Sequence, residues 1–176
     1  MSIATQGHLH HHNTRLIQYC LEKCYPDGII TVEKLLADNL INGTQVAEMA
    51  VCRTNGKVEM CPIGIGRDLT DDSDVKTVTV QANKKKTWLK VNKERTGKFN
   101  ISISHRAQVK DIANKIGKLR VICYNPFTEG WKFFVVPQEG FHHLKKLTFT
   151  FNKETGETIG IHRIHEVSTW EELCKN

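Results

Sequence analysis

The fold of this chain is decided by the stretch 75–81, which reads Val75-Lys76-Thr77-Val78-Thr79-Val80-Gln81. Apolar and polar residues alternate along it and most are β-branched, a pattern typical of a β-strand with one face on a core. Two longer apolar runs downstream, 119–124 and 131–136, predict central strands joined by a turn at Asn125-Pro126. Because helical periodicity precedes these strands, the order of elements predicts an α/β (α+β) fold with a central mixed β-sheet flanked by helices.

Three helices are predicted before that stretch. Asn13 or Thr14 can cap a first helix that ends at the turn 26–28, and Thr31 can cap a second helix. In the second helix we expect four apolar side chains to point inward, those of Val32, Leu35, Leu36 and Leu40. A third helix is predicted to begin near residues 42–44 and to carry Glu48 among apolar neighbours.

Several further elements are predicted around these. Residues 58–66 read as a strand that would form a hairpin with 75–81, and a strand at 99–104 is followed by a helix at about 107–116. A second hairpin is predicted between 147–151 and 158–164. A capping box that starts at Ser168 predicts a short final helix.

The composition indicates one globular domain. The chain has 176 residues, of which 39% are hydrophobic and 25% charged, and no apolar run approaches the length of about 18 residues that a membrane span requires. We divide the domain into a helical packing or dimerisation segment (1–43), a catalytic core (44–136) and a C-terminal hairpin and helix (137–176). The N-terminus lacks the features of a secretory signal, and the six scattered cysteines are interpreted as reduced thiols, so a cytoplasmic protein is expected.

Positive charge is concentrated in one block of the sequence. Residues 75–120 contain thirteen lysines and arginines against two acidic residues, whereas residues 1–74 contain six against ten and residues 121–176 six against seven. A block of this kind favours binding to a polyanion, because each cation that meets a phosphate releases condensed counterions. The charge distribution therefore predicts a nucleic-acid partner.

The acidic turn before the strand at 75–81 is the most specific chemical feature. It lies in the sequence Gly66-Arg67-Asp68-Leu69-Thr70-Asp71-Asp72-Ser73-Asp74-Val75-Lys76-Thr77. If Asp74 opens the strand, its side chain and that of Lys76 lie on one face, because alternate residues of a strand project the same way. Asp68 lies across the turn, so its carboxylate can converge on that of Asp74. Two converging carboxylates favour Mg²⁺, and a neighbouring lysine can bind a phosphate, so the motif predicts metal-dependent phosphodiester hydrolysis.

This motif resembles that of the PD-(D/E)xK nucleases, and in particular that of the compact type II restriction endonucleases. In that family an acidic residue at the end of one strand is followed by an acidic residue, any residue and lysine on the next strand. Asp68 and then Asp74-Val75-Lys76 match these positions. Family members often carry a glutamate on the preceding helix near the metal, and Glu48 corresponds to it. The resemblance covers residues 44–136.

The resemblance implies a restriction-endonuclease-like core and an assignment for each matched residue. Asp68, Asp74, Lys76 and Glu48 would be the catalytic residues, with Asp68 and Asp74 as the ligands of Mg²⁺. It also implies a homodimer that cuts both strands of double-stranded DNA at a specific site, without an organic cofactor. The residues expected to bind nucleic acid lie in the basic block and are Lys84, Lys85, Lys86, Lys90, Asn92, Lys93, Arg95, His105 and Arg106.

Three alternatives remain open from the sequence. Asp71 and Asp72 also lie within reach of Asp74, so Asp72 could be the first acid, or the turn could have no catalytic role. The basic block could serve a non-catalytic nucleic-acid-binding protein. A nuclease that acts on RNA or on repair intermediates would carry the same features.

Overall fold

The structure is a computed structural model of the chain and describes residues 3–38, 40, 43–62, 66–82, 95–103 and 116–176, with side chains from Thr14 onward. The described helices are α1 (Ile3–Cys24), α2 (Val32–Ala37), α3 (Gly43–Asn55) and α4 (Trp170–Lys175). Two 3-10 helices span Gln138–Gly140 and Ile161–His165. The described strands are β1 (Ser73–Thr79), β2 (Gln81–Ala82), β3 (Thr96–Ser102), β4 (Lys118–Asn125), β5 (Gly130–Pro137), β6 (Lys146–Asn152), β7 (Thr158–Ile159) and β8 (Glu166–Val167).

The strands form two four-stranded sheets. The first sheet has the order β1-β4-β5-β8 and is mixed, because β1 runs parallel to β4 while β4 and β5 are antiparallel. The second sheet has the order β2-β3-β6-β7 and is antiparallel. The expected α/β class with a mixed sheet is therefore confirmed, and the second sheet is a feature that the sequence did not predict.

The two sheets and the helices form three layers. One face of the first sheet packs on α1, α3 and α4 through a core that includes Val75, Ile122 and Phe133. The opposite face packs on the second sheet through a core that includes Val121 and Phe149. In the described residues the central sheet is thus covered by helices on one face only, rather than flanked by them on both.

This layering explains the residue patterns of the strands. In β4 every residue after Lys118 is buried, because one face meets the helices and the other meets the second sheet. In β6 buried residues alternate with exposed or half-buried ones, because only one face of the second sheet meets a core.

Strand β1 lies at the edge of the first sheet and leads directly into the second. Val75 packs in the helical core, whereas Val80 packs in the core between the sheets. The Val80 N–H donates to the Tyr124 carbonyl oxygen at 3.0 Å, and the chain then continues into β2. Residues of β1 therefore line the junction between the two sheets.

The N-terminal helices agree with the sequence only in part. Asn13 or Thr14 was predicted to cap the first helix, and this is wrong, because α1 begins at Ile3 and both residues lie within it. Thr31 caps α2 as predicted, its hydroxyl accepting from the Lys34 N–H at 3.2 Å. Val32 and Leu36 were predicted to point inward, and this is wrong, since both are 67% exposed. A two-turn helix can turn only a narrow stripe towards its neighbours, and here Leu35, together with the following Leu40, meets the core.

Both predicted hairpins need correction. The described part of this segment, residues 58–62 and 66, does not pair with 75–81, and the described partner of β1 is β4. Among the described residues between α3 and β1, the pairing is limited to an isolated antiparallel bridge between Met60 and Leu69. The return strand of the second hairpin is limited to Thr158–Ile159, after which the chain forms the 3-10 helix Ile161–His165.

The chain ends in a capped helix, as expected, but one residue later. The Thr169 hydroxyl, rather than that of Ser168, accepts from the Glu172 N–H at 3.1 Å, and the Glu172 carboxylate accepts from the Ser168 N–H at 2.7 Å. Among the described residues, no helix combines the length and the apolar character needed to cross a membrane.

Two of the cysteines show why the thiols are packing residues. Cys20 and Cys24 on α1 are both 1% exposed, and the Cys24 thiol donates to the Val46 carbonyl oxygen at 3.3 Å. Burial raises the pKa of Cys20 to about 12 and that of Cys24 to about 11. These side chains join α1 to α3.

Candidate active site

The acidic turn is held as a tight loop between α3 and β1. The Cys61 N–H donates to the Asp68 carbonyl oxygen at 2.8 Å, and the N–H groups of Asp68 and Leu69 both donate to the Ser73 carbonyl oxygen, at 3.2 and 3.0 Å. Leu69 is fully buried in the helical core and anchors the loop. Asp72 takes a left-handed conformation with φ of 63°, which Asp and Asn tolerate better than most residues. The loop therefore returns Asp68 to the start of β1.

Three of the four predicted catalytic side chains meet at this point. One Asp68 carboxylate oxygen accepts the Val75 N–H at 2.8 Å, which fixes it beside β1. The Lys76 ammonium lies 3.0 Å from a carboxylate oxygen of Asp74. The Asp74 side chain is 11% exposed and that of Lys76 37% exposed, so the lysine forms the solvent side of the pair.

The electrostatics of the group show that its carboxylates repel one another. The pKa of Asp68 is raised, first by burial and then by the negative charge of Asp74, while the Val75 N–H and the Lys76 charge act in the opposite direction. Two carboxylates held this close repel each other, and a cation bound between them would relieve that repulsion.

Glu48 belongs to the same electrostatic neighbourhood. It lies on α3 among buried Val46, Ala47, Ala50 and Val51, where a carboxylate has no packing role. Burial raises the pKa of Glu48 to about 7, the charges of Asp68 and Asp74 add to this rise, and the charge of Lys76 opposes it. Helix α3, the acidic loop and β1 thus bring together the four residues that the sequence singled out.

Asp71 has a different, structural partner, which the sequence did not reveal. Its carboxylate lies 2.7 Å from a guanidinium nitrogen of Arg120 and 3.0 Å from the Lys118 ammonium. Arg120 is fully buried and also donates to the carbonyl oxygens of Leu173 and Cys174. Although burial alone would raise the pKa of Asp71, the hydrogen bonds from Arg120, Ser73 and Lys118 hold it well below its usual value. Asp71 therefore joins the loop to β4 and α4.

Asp72 also has a partner of its own. Its carboxylate pairs with the Arg67 guanidinium, and its side chain is 52% exposed. Of the two loop acids that the sequence left open, Asp68 is the one whose carboxylate lies against β1.

Much of the basic block lies outside the described residues. This applies to Lys84, Lys85, Lys86, Lys90, Asn92, Lys93, His105 and Arg106, and to the helix predicted at 107–116 up to residue 115. Arg95 is described and exposed. Two other cations of the block, Lys118 and Arg120, are engaged by Asp71, so the charge count of the sequence overstates the number of cations open to a ligand.

The two basic segments outside the described residues join the described chain at different places. Residues 83–94 connect Ala82 of β2 to Arg95, and residues 104–115 connect Ile103 to Ile116. Gly117, next to Ile116, donates its N–H to the Asp72 carbonyl oxygen at 2.7 Å. The second segment therefore ends at the acidic loop itself.

Within the described residues, no group of three or more His, Cys, Asp or Glu side chains is arranged to enclose a metal ion. The carboxylates that could hold a cation there are those of Asp68, which is half-buried, and Asp74, which is buried. Mg²⁺ takes one or two carboxylates and retains several waters, so these two residues could hold it.

Comparison of the chain with protein-family models, with curated proteins and with solved structures found no match. Support for a function therefore comes from the residues and their geometry.

Proposed function

We propose that this protein is a Mg²⁺-dependent endonuclease that hydrolyses phosphodiester bonds of double-stranded DNA. The observation that carries the proposal is the convergence of Asp68 and Asp74 with the Lys76 ammonium at the edge of β1. The acid, acid and lysine of the PD-(D/E)xK motif need this juxtaposition, although here the first acid comes from a loop rather than from a paired strand.

Asp68 and Asp74 would hold the cation. When bound, Mg²⁺ supplies Lewis-acid polarisation of the scissile phosphate. Asp68 is suited to this role because the Val75 N–H fixes one of its oxygens and leaves the other available. Asp74 is suited because its only described ion pair is to Lys76, whose flexible side chain can turn towards a substrate.

Lys76 and Glu48 would act on the substrate and on water. The Lys76 ammonium, on the solvent side of Asp74, can bind a phosphate oxygen and stabilise the negative charge that develops during attack. The Glu48 carboxylate, which lies in the same charge cluster, can orient the attacking water and accept its proton. One such site per chain can cut one strand, so cleavage of both strands of a symmetric target would require a homodimer.

The choice of DNA as substrate is supported by the distribution of charge. Eight of the thirteen lysines and arginines of the basic block lie in residues 83–94 and 104–115, and these segments are attached at β2 and at the acidic loop. A basic segment that ends at the acidic loop, together with one that starts after β2, is suited to a nucleic-acid backbone that runs along β1.

Cleavage of supercoiled plasmid DNA tests the proposal. The purified protein should convert the plasmid to nicked and linear forms in Mg²⁺ and should leave it intact in EDTA. Binding of the plasmid without cleavage in Mg²⁺ or Mn²⁺ would instead support a non-catalytic nucleic-acid-binding protein. Cleavage of a structured RNA but not of plasmid would support the ribonuclease alternative.

A further inference from the structure

An open cleft of about 460 Å³ lies where β1 passes from the first sheet into the second. Among the residues that line it are Val78, Thr79, Gln81, Lys98 and Asn100. Val78 is on the same face of β1 as Asp74 and Lys76, because these are alternate residues of one strand. The cleft therefore lies further along the strand that carries Asp74 and Lys76, where β1 leads into β2.

The polar groups of the cleft are left open by the rest of the described chain. Lys98 and the Gln81 side chain make no hydrogen bond or ion pair with another described residue. The Asn100 side-chain oxygen Oδ1 accepts from the Thr148 hydroxyl at 2.8 Å, and its NH₂ group has no described partner. The buried Thr79 hydroxyl also lacks one within the described chain. Gln81 and Asn100 are exposed and Lys98 is half-buried, so their polar groups are accessible to a polar ligand.

The charge beside the cleft identifies the class of ligand. Gln81 and Ala82 pair with Lys98 and Gly97, so the cleft lies at the base of the connection 83–94. That connection carries five lysines and one glutamate. Lys98 has no described carboxylate partner, and the sequence that follows Ala82 contains five more lysines, so a polyanion is the favoured ligand.

The distance along β1 sets an upper limit on how far the cleft lies from the proposed catalytic group. Lys76 and Gln81 are five residues apart, so they are separated by at most about 17 Å of extended chain. One strand of duplex DNA places a phosphate about every 3.4 Å along the helix axis. A strand with its scissile phosphate at Lys76 therefore brings a phosphate to the cleft within about five nucleotides.

We propose that this cleft binds the DNA strand next to the scissile bond, with Lys98 on a backbone phosphate and the amides of Asn100 and Gln81 towards base edges. Lysine beside a phosphate fixes position, whereas amide side chains hydrogen-bond base edges and carry sequence preference. This inference rests on the proposed function for the direction of the strand, but the binding itself does not require catalysis.

The experiment measures binding of a mixed-sequence duplex of about 30 base pairs by fluorescence anisotropy, in Ca²⁺ so that cleavage does not interfere, over a range of salt concentrations. Lys98→Ala should reduce the slope of log affinity against log salt by about one and weaken binding about eightfold at 0.1 M salt. The matched control is Lys175→Ala, which removes an exposed lysine from α4 in the helical layer and should bind like the wild type. Circular dichroism of both variants verifies the fold.

Base reading is tested by selection from a pool of random-sequence duplexes. Asn100→Ala should lose preference at one or two positions that the wild type selects, while keeping the wild-type salt slope. An unchanged preference would overturn the assignment of Asn100 to base edges. Competition with an RNA duplex of the same sequence should leave DNA as the preferred ligand, and preference for RNA would overturn the choice of DNA.

The outcomes separate this inference from the proposed function. If the wild type never cleaves DNA and Lys98→Ala binds DNA more weakly than the wild type, the cleft is supported and the nuclease function is refuted. A protein that cleaves plasmid while Lys98→Ala binds with unchanged affinity and slope refutes the cleft and supports the nuclease. Absence of DNA binding by the wild type refutes both.

Discussion

Two neighbouring aspartates of the acidic loop are predicted to lose very different amounts of stability on the same substitution. Asp71→Asn removes the charge that faces the fully buried Arg120, whereas Asp72→Asn removes the charge of an exposed pair with Arg67. Removing one partner of a buried ion pair costs roughly 3–5 kcal/mol, because the other charge stays buried and uncompensated. Arg120 retains its bonds to two backbone carbonyls, so we expect about 2–4 kcal/mol for Asp71→Asn. For Asp72→Asn we expect about 0–1 kcal/mol.

Urea and thermal denaturation of the two variants measure this difference. For a chain of this size, each kcal/mol corresponds to about 2–4 °C, so Asp71→Asn should lower Tm by about 5–15 °C and Asp72→Asn by a few degrees at most. Asn at position 72 keeps a side chain that tolerates a positive φ, which makes it a fair control. Equal losses below about 1 kcal/mol in both variants would refute the structural role of Asp71.

The pH dependence of this effect has a definite sign. The pKa of Asp71 is lower in the folded protein than in the unfolded chain, where it is about 3.9. Its stabilising contribution is therefore fully present above that value and is lost as the pH falls through the lower folded-state pKa. The difference in unfolding free energy between the wild type and Asp71→Asn should be constant from pH 6 to 8 and should become smaller below about pH 4.

Three further predictions follow from the described contacts and the sequence. Asp68→Asn should reduce the initial rate of plasmid nicking far more than Asp72→Asn, because the Asp68 carboxylate is fixed beside β1 whereas that of Asp72 pairs with Arg67. Similar small losses in both variants would indicate a turn without a catalytic role. Replacement of Lys84, Lys85 and Lys86 together by alanine should flatten the salt slope of DNA binding by about two to three units, and an unchanged slope would show that this run is not in contact with phosphates. Gly97→Ala should lower Tm, because the added Cβ would lie 2.6 Å from a side-chain carbon of Val80, next to the pairing of β2 with β3. A variant with the Tm of the wild type would show that the structure adjusts freely at this position.

Elements with a strong periodic pattern were predicted correctly from the sequence. β4 and β5 pair as expected, because a run such as 119–124 can be buried on both faces only inside a layered sheet. α3 begins where predicted and carries Glu48 at the position that the motif needs. In these cases the local pattern and the tertiary environment agree.

Long-range pairing was predicted less well. The alternation of 75–81 predicts a strand but does not say which strand lies beside it, and the partner β4 is more than forty residues later in the chain. The second sheet was missed for the same reason, although its strand β6 was identified locally.

The candidate site was predictable as a motif but not as a set of contacts. From the sequence either Asp68 or Asp72 could be the first acid, and in the structure it is the Asp68 carboxylate that accepts the Val75 N–H of β1. The role of Asp71 could not be read from the sequence, because Arg120 looked like one more cation of the basic block. Its burial is decided by the packing of β4 against α4.

The most direct test of the central claim is the cleavage rate of Asp74→Asn, measured together with its stability and its DNA affinity in Ca²⁺. Because Asp74 faces Asp68 and the two charges repel, the variant should unfold at the same or a higher temperature than the wild type and bind DNA equally well. Its plasmid cleavage in Mg²⁺ should be abolished, as should that of Lys76→Ala. A folded, DNA-binding Asp74→Asn protein that cleaves at the wild-type rate would contradict the assignment of this site.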